Sequence, residues 1–489
     1  MDRLPVKILS LIMENIRYQE PPYYGHYPES KLAPYVTISR QWQAIVEPII
    51  WRKIKIWKPG SMDLLRQYTS GDAYRCARPT YIEYLNWSAA SLVNRGSLYA
   101  ITQWDLNVHQ KVFPDWITGQ HQKLLSELFH LLKTWEDVKS RMKLAINLAD
   151  CHSAYSHGSK RWSDLEWDEW KSSTLDQLWQ KGQYNYCLDL NDDLVRSFPV
   201  IPYITIFKLP DAGTRSATFF RLLTRFPNVR DVRGGEGYDI PSRAYVALQE
   251  QRQGIVDNLL LLPESVDSFK YEIDYQREMS YNPTHDAANY LDPQGLDEFS
   301  IAFRSVSMSL RKLELSHVRV SSALFWPGPH EKVDTESLFW PNLEELLVQF
   351  VPPFAADGKW LLDNDLQKWS ATKVEEPDQP WDYEDGYSYR DILRSTEGNE
   401  LFASIGLAAQ RMPRLRDLGF SLRPEHNEGD ATQELTFTRD LVTGNSRLEI
   451  KTGIPDYDVG ENVTSAWRLN GEKAKKFREW STIELDKWP

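Results

Sequence analysis

Residues able to do chemistry are few and scattered along this chain. Cys151, His152 and His157 form one tight cysteine and histidine grouping. A structural zinc site takes four ligands, and no second cysteine stands near enough to complete one. The grouping reads as a loop cysteine beside surface histidines. Acid pairs such as Asp192-Asp193, Glu344-Glu345 and Glu375-Glu376 would serve as general acid and base only where a fold buried them unequally, and sequence-adjacent carboxylates are ordinarily solvated. No His-Glu-x-x-His helix, Walker glycine-rich loop, dinucleotide fingerprint or Gly-x-Ser-x-Gly elbow occurs. No catalytic residue or metal ligand is assigned, no cofactor is expected, and the chain reads as a non-enzyme that acts by binding.

Binding requires a surface, and the most patterned stretch is Leu4 to Trp57. In LPVKILSLIMENI, Pro5 stands at an early helical position where its missing amide costs nothing. Ile8, Leu9, Ile12, Met13 and Ile16 then follow at spacings that paint one side of a helix apolar. A second run, SKLAPYVTISRQWQAIVEPIIWRKIKI, repeats the pattern with Leu32, Tyr35, Val36, Ser39, Trp42, Ile45, Val46, Ile49, Ile50 and Trp51. Breaks near Pro34 and Pro48 predict two or three short helices. Helices this short are marginal alone, so they need each other or a partner.

The order Leu4-Pro5, Ile8-Leu9, Ile12, then Leu32, Val36, Ser39-Arg40, Trp42, and finally Trp51-Arg52 with Ile54 resembles an F-box. F-box proteins use that three-helix module to dock onto the small adaptor subunit of an SCF-type cullin-RING ubiquitin ligase. The resemblance implies adaptor contacts at Leu4, Pro5, Ile8, Leu9, Ile12, Leu32, Val36, Ser39, Trp42 and Trp51, and through the adaptor a link to the cullin. Lys7 stands where the family usually carries a glutamate, which alters a polar contact and leaves the apolar framework. The connection from Arg17 to Lys31 is longer than usual for the family. The remainder of the chain resembles fungal F-box proteins with an irregular leucine-rich C-terminal region.

Composition bounds the partners. With 489 residues, of which 41% are hydrophobic, the chain is long enough to bury a substantial core and to form two or more structural units. Its 19 tryptophans, 24 tyrosines and 18 phenylalanines set it apart from aromatic-poor disordered sequences. A net charge of −12 argues against nonspecific nucleic-acid binding, which needs a basic surface. Residues 1 to 60 nevertheless hold nine Lys/Arg against five Asp/Glu, a local balance of +4 that leaves −16 for the rest. A basic head on an acidic body suits an acidic protein partner, and it also suits an ordinary solvated surface. The three cysteines, 76, 151 and 187, make no disulfide framework and suit a reducing compartment. Lys7, Glu14 and Arg17 interrupt the first apolar run, so no secretory leader is expected. No window approaches the length of a spanning helix. A cytoplasmic or nuclear protein that does not engage membranes is expected.

Downstream, Pro59-Gly60 predicts a turn with Ser61 as the cap of a helix. Strands are predicted at 80–87, within 97–108, at 142–149 and at YCLDLND, with a helix around Gln120 to Trp135. Further strands are predicted at Tyr203 to Leu209 and Val229 to Val232, with a helix from about Ala217 between them. A phrase then recurs: FPNVRDVRG, LPESVDSFKYEI, SLRKLELSHV at 309–318, WPNLEELLVQF at 340–350 and MPRLRDLGFSL at 412–422. Its element is an apolar residue and proline at a turn, an aliphatic residue, two spacers and a short strand, with the proline absent from the 309–318 copy. Leu310, Leu313 and Leu315 keep an L-x-x-L-x-L core, and Leu343, Leu346 and Val348 give a close variant. A short strand with a helix behind it cannot bury its apolar side alone, so copies stack. Separations of about 36, 47, 31 and 72 residues are too uneven for a regular leucine-rich repeat. The plainer alternative is a generic α/β domain with proline-bounded strands. Late strands are predicted at LTFTRD and RLEIKTG, and residues 472–485 as a terminal helix or frayed tail.

The expected architecture is therefore α/β: a three-helix F-box-like module over 1–57, then an irregular leucine-rich-repeat-like solenoid over 58–489. An acidic insertion near 370–388, within Lys368 to Arg390, carries six acids and no base between Glu375 and Asp385. It reads as an exposed loop, with recognition of a basic client as a lesser role. The function implied by the resemblance is substrate recognition for the ligase, with a client protein held on the solenoid at residues the sequence leaves unassigned. The alternatives are an F-box-like protein outside a working ligase, a non-enzymatic repeat scaffold whose N-terminal helices only cap the solenoid, and an α/β enzyme with a polar pocket away from the N-terminus.

Overall fold

The computed structural model describes residues 39–56, 60–88, 106–139, 144–149, 190–209, 215–236, 245–273, 287–328, 330–364, 390–422, 433–452, 457, 459–469, 480–485 and 488. The chain forms two compact units. The first takes Met1–Ser156, Leu190–Leu209 and Leu222–Val229, and the second takes His157–Asp189, Pro210–Arg221 and Arg230–Pro489. Of the predicted docking residues, Leu4, Pro5, Ile8, Leu9, Ile12, Leu32 and Val36 lie outside the described residues. So do Cys151, His152, His157, Glu375-Glu376 and the acidic insertion near 370–388.

In the first unit, helix α1 (Arg40–Trp51) leads into strand β1 (Lys53–Ile56), short helices α2 (Ser61–Thr69) and α3 (Ala73–Ala77), a 3-10 turn at Arg78–Tyr81, and β2 (Tyr84–Ser88). The long helix α4 (Leu106–Lys133), α5 (Glu136–Lys139), β3 (Leu144–Ala149), α6 (Asp192–Ser197) and β4 (Ile204–Leu209) follow. Strands β1 to β4 pair in parallel in chain order. Leu125, Leu128, Phe129 and Leu132 recur at helical spacing on α4 and are buried. Phe129 stacks on Phe198 at 4.9 Å and on Phe226 at 5.5 Å, and the Tyr203 hydroxyl donates to the Leu132 carbonyl at 2.6 Å.

Several local expectations are corrected here. Helix α1 runs through Pro48, because burial of Trp42, Ile45 and Val46 holds together a helix that lacks one interior hydrogen bond. Lys53–Ile56 is a strand, not the end of a helical run, since its amides and carbonyls have β2 to pair with. Gly60, at φ 79°, precedes α2 in the capping position and Ser61 is its first residue. The strand predicted at 80–87 starts only at Tyr84, after the 3-10 turn. Residues 106–108, predicted as strand, open α4, which starts well before Gln120. The last part of YCLDLND is no strand either: Asn191 caps α6 by accepting the Leu194 amide at 2.8 Å.

The second unit continues with α7 (Ser216–Leu223), whose last two residues belong to the first unit, then β5 (Asp231–Glu236), α8 (Tyr245–Leu259), β6 (Ser268–Ile273), α9 (Glu298–Ser307), β7 (Lys312–Ser316) and β8 (Glu345–Val351). A two-stranded antiparallel ribbon, β9 (Leu362–Asn364) with β10 (Arg390–Leu393), precedes α10 (Ser395–Ala409) and β11 (Asp417–Leu422). Last come β12 (Gln433–Arg439), β13 (Ser446–Lys451), α11 (Glu461–Ala466) and β14 (Trp480–Leu485). Strands β5, β6, β7, β8 and β11 pair in parallel in that order, and β12, β13 and β14 extend the sheet antiparallel. The tail predicted as helix over 472–485 thus ends in a strand, because β13 offers an open edge to Trp480–Leu485.

The recurring phrase has a structural counterpart. Its apolar residue before the proline and its following aliphatic residue are buried at Phe226 and Val229, Trp340 and Leu343, and Met412 and Leu415. The two spacers lie at the strand entrance. There the carbonyl of each first spacer accepts two amides from the next copy: Arg230 from Asp267 and Ser268, Asp267 from Arg311 and Lys312, Arg311 from Glu344 and Glu345, Glu344 from Arg416 and Asp417. The first unit repeats it at Arg52, which accepts from Glu83 and Tyr84.

Alternation along these strands separates two faces. Phe269, Tyr271, Leu313, Leu315, Leu346, Val348, Leu418 and Phe420 are buried, with Phe303 of α9 at 6.1 Å from both Phe269 and Tyr271. Further along, Trp467 and Trp488 stack at 5.2 Å beside Phe437.

Candidate docking surfaces

The first candidate surface is built around α1. Ser39 caps the helix by accepting the Trp42 amide at 3.3 Å. Trp42, 4% exposed, is buried together with Ile45 and Val46, whereas Trp51 is half-buried. Of the ten predicted contact residues, the structure therefore places Ser39 at the helix start, Trp42 within the unit and Trp51 at its solvent margin.

What surrounds Trp51 is invisible to helical periodicity. The guanidinium of Arg78 lies 5.2 Å from the Trp51 ring, 5.9 Å from Tyr68 and 5.5 Å from Tyr74. It also pairs with the buried Glu47 carboxylate at 2.9 Å, and Glu47 accepts a short hydrogen bond from the Tyr74 hydroxyl. Burial and the Glu47 carboxylate raise the Tyr74 phenol above its ordinary pKa. An arginine held between three rings and a carboxylate is fixed in place. Tyr68 and Tyr74 beside it remain exposed, as does Leu64 one turn before Tyr68 on α2, with exposed Arg66 and half-exposed Arg75 on the same two helices. The sequence separates Glu47 from Arg78 by a strand and two helices, so only a preference for Arg near aromatic residues could have hinted at this cluster.

The second candidate surface is the face of the second unit's sheet opposite the buried one. It carries charge in pairs: Lys270 with Glu314 of the neighbouring strand at 2.7 Å and with Glu272 of its own strand at 3.5 Å, and Lys312 with Glu345 of the next strand at 2.7 Å. At the carboxyl ends of the strands, His317 Nδ1 lies 3.6 Å from Glu272, and its ring lies 5.2 Å from that of Phe350. The contact with His317, the largest influence, together with Lys270 outweighs burial and holds the Glu272 carboxyl below its ordinary pKa. Both His317 and Phe350 sit at positive φ, 57° and 54°, a conformation that costs bulky residues about 1–2 kcal/mol each. The Phe350 amide donates to Ser421 Oγ at 3.1 Å, which holds the bend.

Two of the three acid pairs, Asp192-Asp193 and Glu344-Glu345, fall on described residues. Asp192 and Asp193 are exposed in the first turn of α6 near Arg196. Glu344 bonds Arg311 and Arg416, and Glu345 bonds Lys312. Among the described residues no group of three or more His, Cys, Asp or Glu could hold a metal ion, and no helix is long and apolar enough to cross a membrane. Comparison of the chain with protein-family models, with curated proteins and with solved structures yields no match.

Proposed function

We propose that this chain is a substrate-recognition subunit of an SCF-type cullin-RING ubiquitin ligase, working in the cytoplasm or nucleus. Its N-terminal helices dock on the adaptor subunit, and through it the cullin. Its second unit, read as an irregular leucine-rich-repeat-like solenoid, holds a client protein. The contribution to transfer is proximity, which raises the effective concentration of client lysines at the conjugating enzyme while other subunits carry the chemistry. The observation that supports this reading is the half-buried Trp51, whose ring lies 6.4 Å from that of exposed Tyr68 and shares Arg78 with exposed Tyr74, with exposed Leu64 on the same helix as Tyr68. It is an aromatic, arginine-bordered surface directly after the residues that resemble an F-box, with the composition of an interface core.

A second reading, a repeat scaffold whose N-terminal helices only cap it, draws support from the burial of Trp42, Ile45 and Val46 within the chain itself. Pull-down of purified adaptor subunit separates the two. Wild type is compared with Leu9→Ala plus Trp51→Ala, and thermal melts check that the variant is folded. Capture by wild type and its loss in a folded variant supports docking. Absence of capture by wild type, or equal capture by the variant, leaves the scaffold reading.

A further inference from the structure

A cleft of about 420 Å³ opens in the second unit beside α8. Helix α8 lines it with Glu250, Gln253 and Val256, the loop before α9 with Leu291, Asp292 and Pro293, and the first residue of α9 with Glu298. The loop wall is held by several independent contacts. The Tyr290 amide donates to the Ala356 carbonyl at 2.8 Å, Gln249 Nε2 donates to the Asn289 carbonyl at 2.8 Å, and the Tyr290 ring lies between Arg252 at 4.7 Å and Arg319 at 4.0 Å. A wall tied in this way makes a preformed cleft, which spares a ligand the cost of ordering it.

The chemistry of the lining is one-sided. Glu250, Asp292 and Glu298 contribute carboxylates, and Arg252, the one basic residue among the described lining, is neutralised by buried Asp297 at 2.7 Å. Asp292 Oδ1 already accepts the Gln294 and Leu296 amides at 2.8 and 2.7 Å. Glu250 and Glu298 are exposed and make no ion pair among the described residues, unlike Glu344 and Glu345 at the entrance of β8. Val256, Leu291 and Pro293 supply apolar wall. Carboxylates in a concave site focus potential into it, and apolar wall beneath them suits an aliphatic stem with a cationic head.

We propose that this cleft receives a lysine or arginine side chain of a client polypeptide, the stem along Val256, Leu291 and Pro293 and the cation against Glu250 and Glu298. The inference rests on the client-binding part of the function proposed above and assigns the client its chemistry: a basic segment, read on the helical side of the unit and away from the open sheet face. Among the described residues, four carboxylates, Glu250, Asp292, Asp297 and Glu298, stand against the guanidinium groups of Arg252 and Arg319, the latter also near the Asp357 carboxylate.

The test is fluorescence anisotropy of a labelled tetra-arginine peptide, and of its uncharged tetra-citrulline counterpart, titrated with the full chain at low salt and without adaptor. The arginine peptide is expected to bind at least about tenfold more tightly than the citrulline peptide. Glu250→Gln plus Glu298→Gln is expected to weaken it by about tenfold or more, and Gln253→Lys, which places a cation in the cleft, to do the same. Asp193→Asn plus Glu264→Gln, which removes two exposed acids elsewhere, is expected to change affinity by less than about twofold. Absence of arginine-peptide binding by wild type overturns the proposal, as does an equal loss in both double variants, which would assign the binding to the diffuse acidity of the chain. Because the adaptor is absent, failure here leaves the pull-down result standing, and failure of the pull-down leaves this titration standing.

Discussion

Arg311 and Glu344 hold each other through backbone and side chain at once. The Arg311 carbonyl accepts the Glu344 amide at 2.8 Å, and the Arg311 guanidinium lies 2.9 Å from the Glu344 carboxylate. Arg416 bonds the same carboxylate, so one acid ties the entrances of three neighbouring strands. Arg52 with Glu83 in the first unit combines the same two kinds of contact, their side chains 2.7 Å apart.

Glu344→Ala is expected to destabilise the second unit by about 1 kcal/mol, because the two arginines it bonds are half exposed and solvent screens them. Urea unfolding at about 0.05 M and about 1 M salt checks the origin, since the difference from wild type should shrink at the higher ionic strength. A difference indifferent to salt would assign the effect to packing.

Asp297 is nearly fully buried. Burial works to raise its pKa, but the Arg252 charge and the bond from Ser300 outweigh burial, and the carboxyl sits below its ordinary 3.8. A depressed carboxylate contributes stability above its unfolded pKa and loses it as pH falls through the folded one. The acid limb of wild type below about pH 4 should therefore be flatter in Asp297→Asn. That variant should also lose about 3 kcal/mol at neutral pH by leaving Arg252 buried without its carboxylate. Chemical denaturation across pH reads both effects.

His121 on α4 is buried, its Nε2 has no hydrogen-bond partner among the described residues, and burial lowers its pKa from 6.5 to about 4. The unfolded chain takes up the proton below its higher pKa while the folded chain resists until about pH 4. Stability should accordingly fall by up to about 3 kcal/mol as pH drops across that window, then level off. His121→Phe should remove this slope and be neutral or slightly stabilising at pH 7, because an unsatisfied buried nitrogen is gone. Persistence of the slope in His121→Phe would assign it to another group.

Gly234 in β5 faces the ring of buried Phe219, and a methyl group added there would approach it to 2.3 Å. Gly234→Ala should cost about 2 kcal/mol through overpacking. Adding Phe219→Leu should recover part of that loss, so the double-mutant cycle should show coupling of about 1 kcal/mol. Strict additivity would show that the ring moves aside freely.

The parts legible in the sequence were those governed by local spacing. Strands β6, β7, β8 and β11 stand within the recurring phrases, and the aliphatic residue ahead of the two spacers is buried at Val229, Val266, Leu310, Leu343 and Leu415, because a period of two with a turn signal before it leaves few ways to bury the apolar side. Spacing alone marks the α1 stripe of Trp42, Ile45 and Val46, which is buried, but it does not show the helix passing through Pro48. A residue's missing hydrogen bond is local, whereas the burial that compensates for it is supplied from elsewhere in the fold. The C-terminal strand Trp480–Leu485 is hidden from local spacing for the same reason, since pairing with β13 overrides helical propensity in a short segment.

By itself, then, the amino-acid order determined which residues are apolar, at what period they recur, and where prolines and glycines punctuate them. That was enough to expect an α/β chain with short strands after turns, and for a docking-module resemblance over Leu4 to Ile54. Only tertiary structure decided that Arg78 sits among Trp51, Tyr68 and Tyr74, that Tyr290 lies between Arg252 and Arg319, and that Glu250 and Glu298 line one cleft. Each of these joins residues from different elements. Periodicity reports which side of an element turns inward, but what that side meets depends on the packing of the other elements against it.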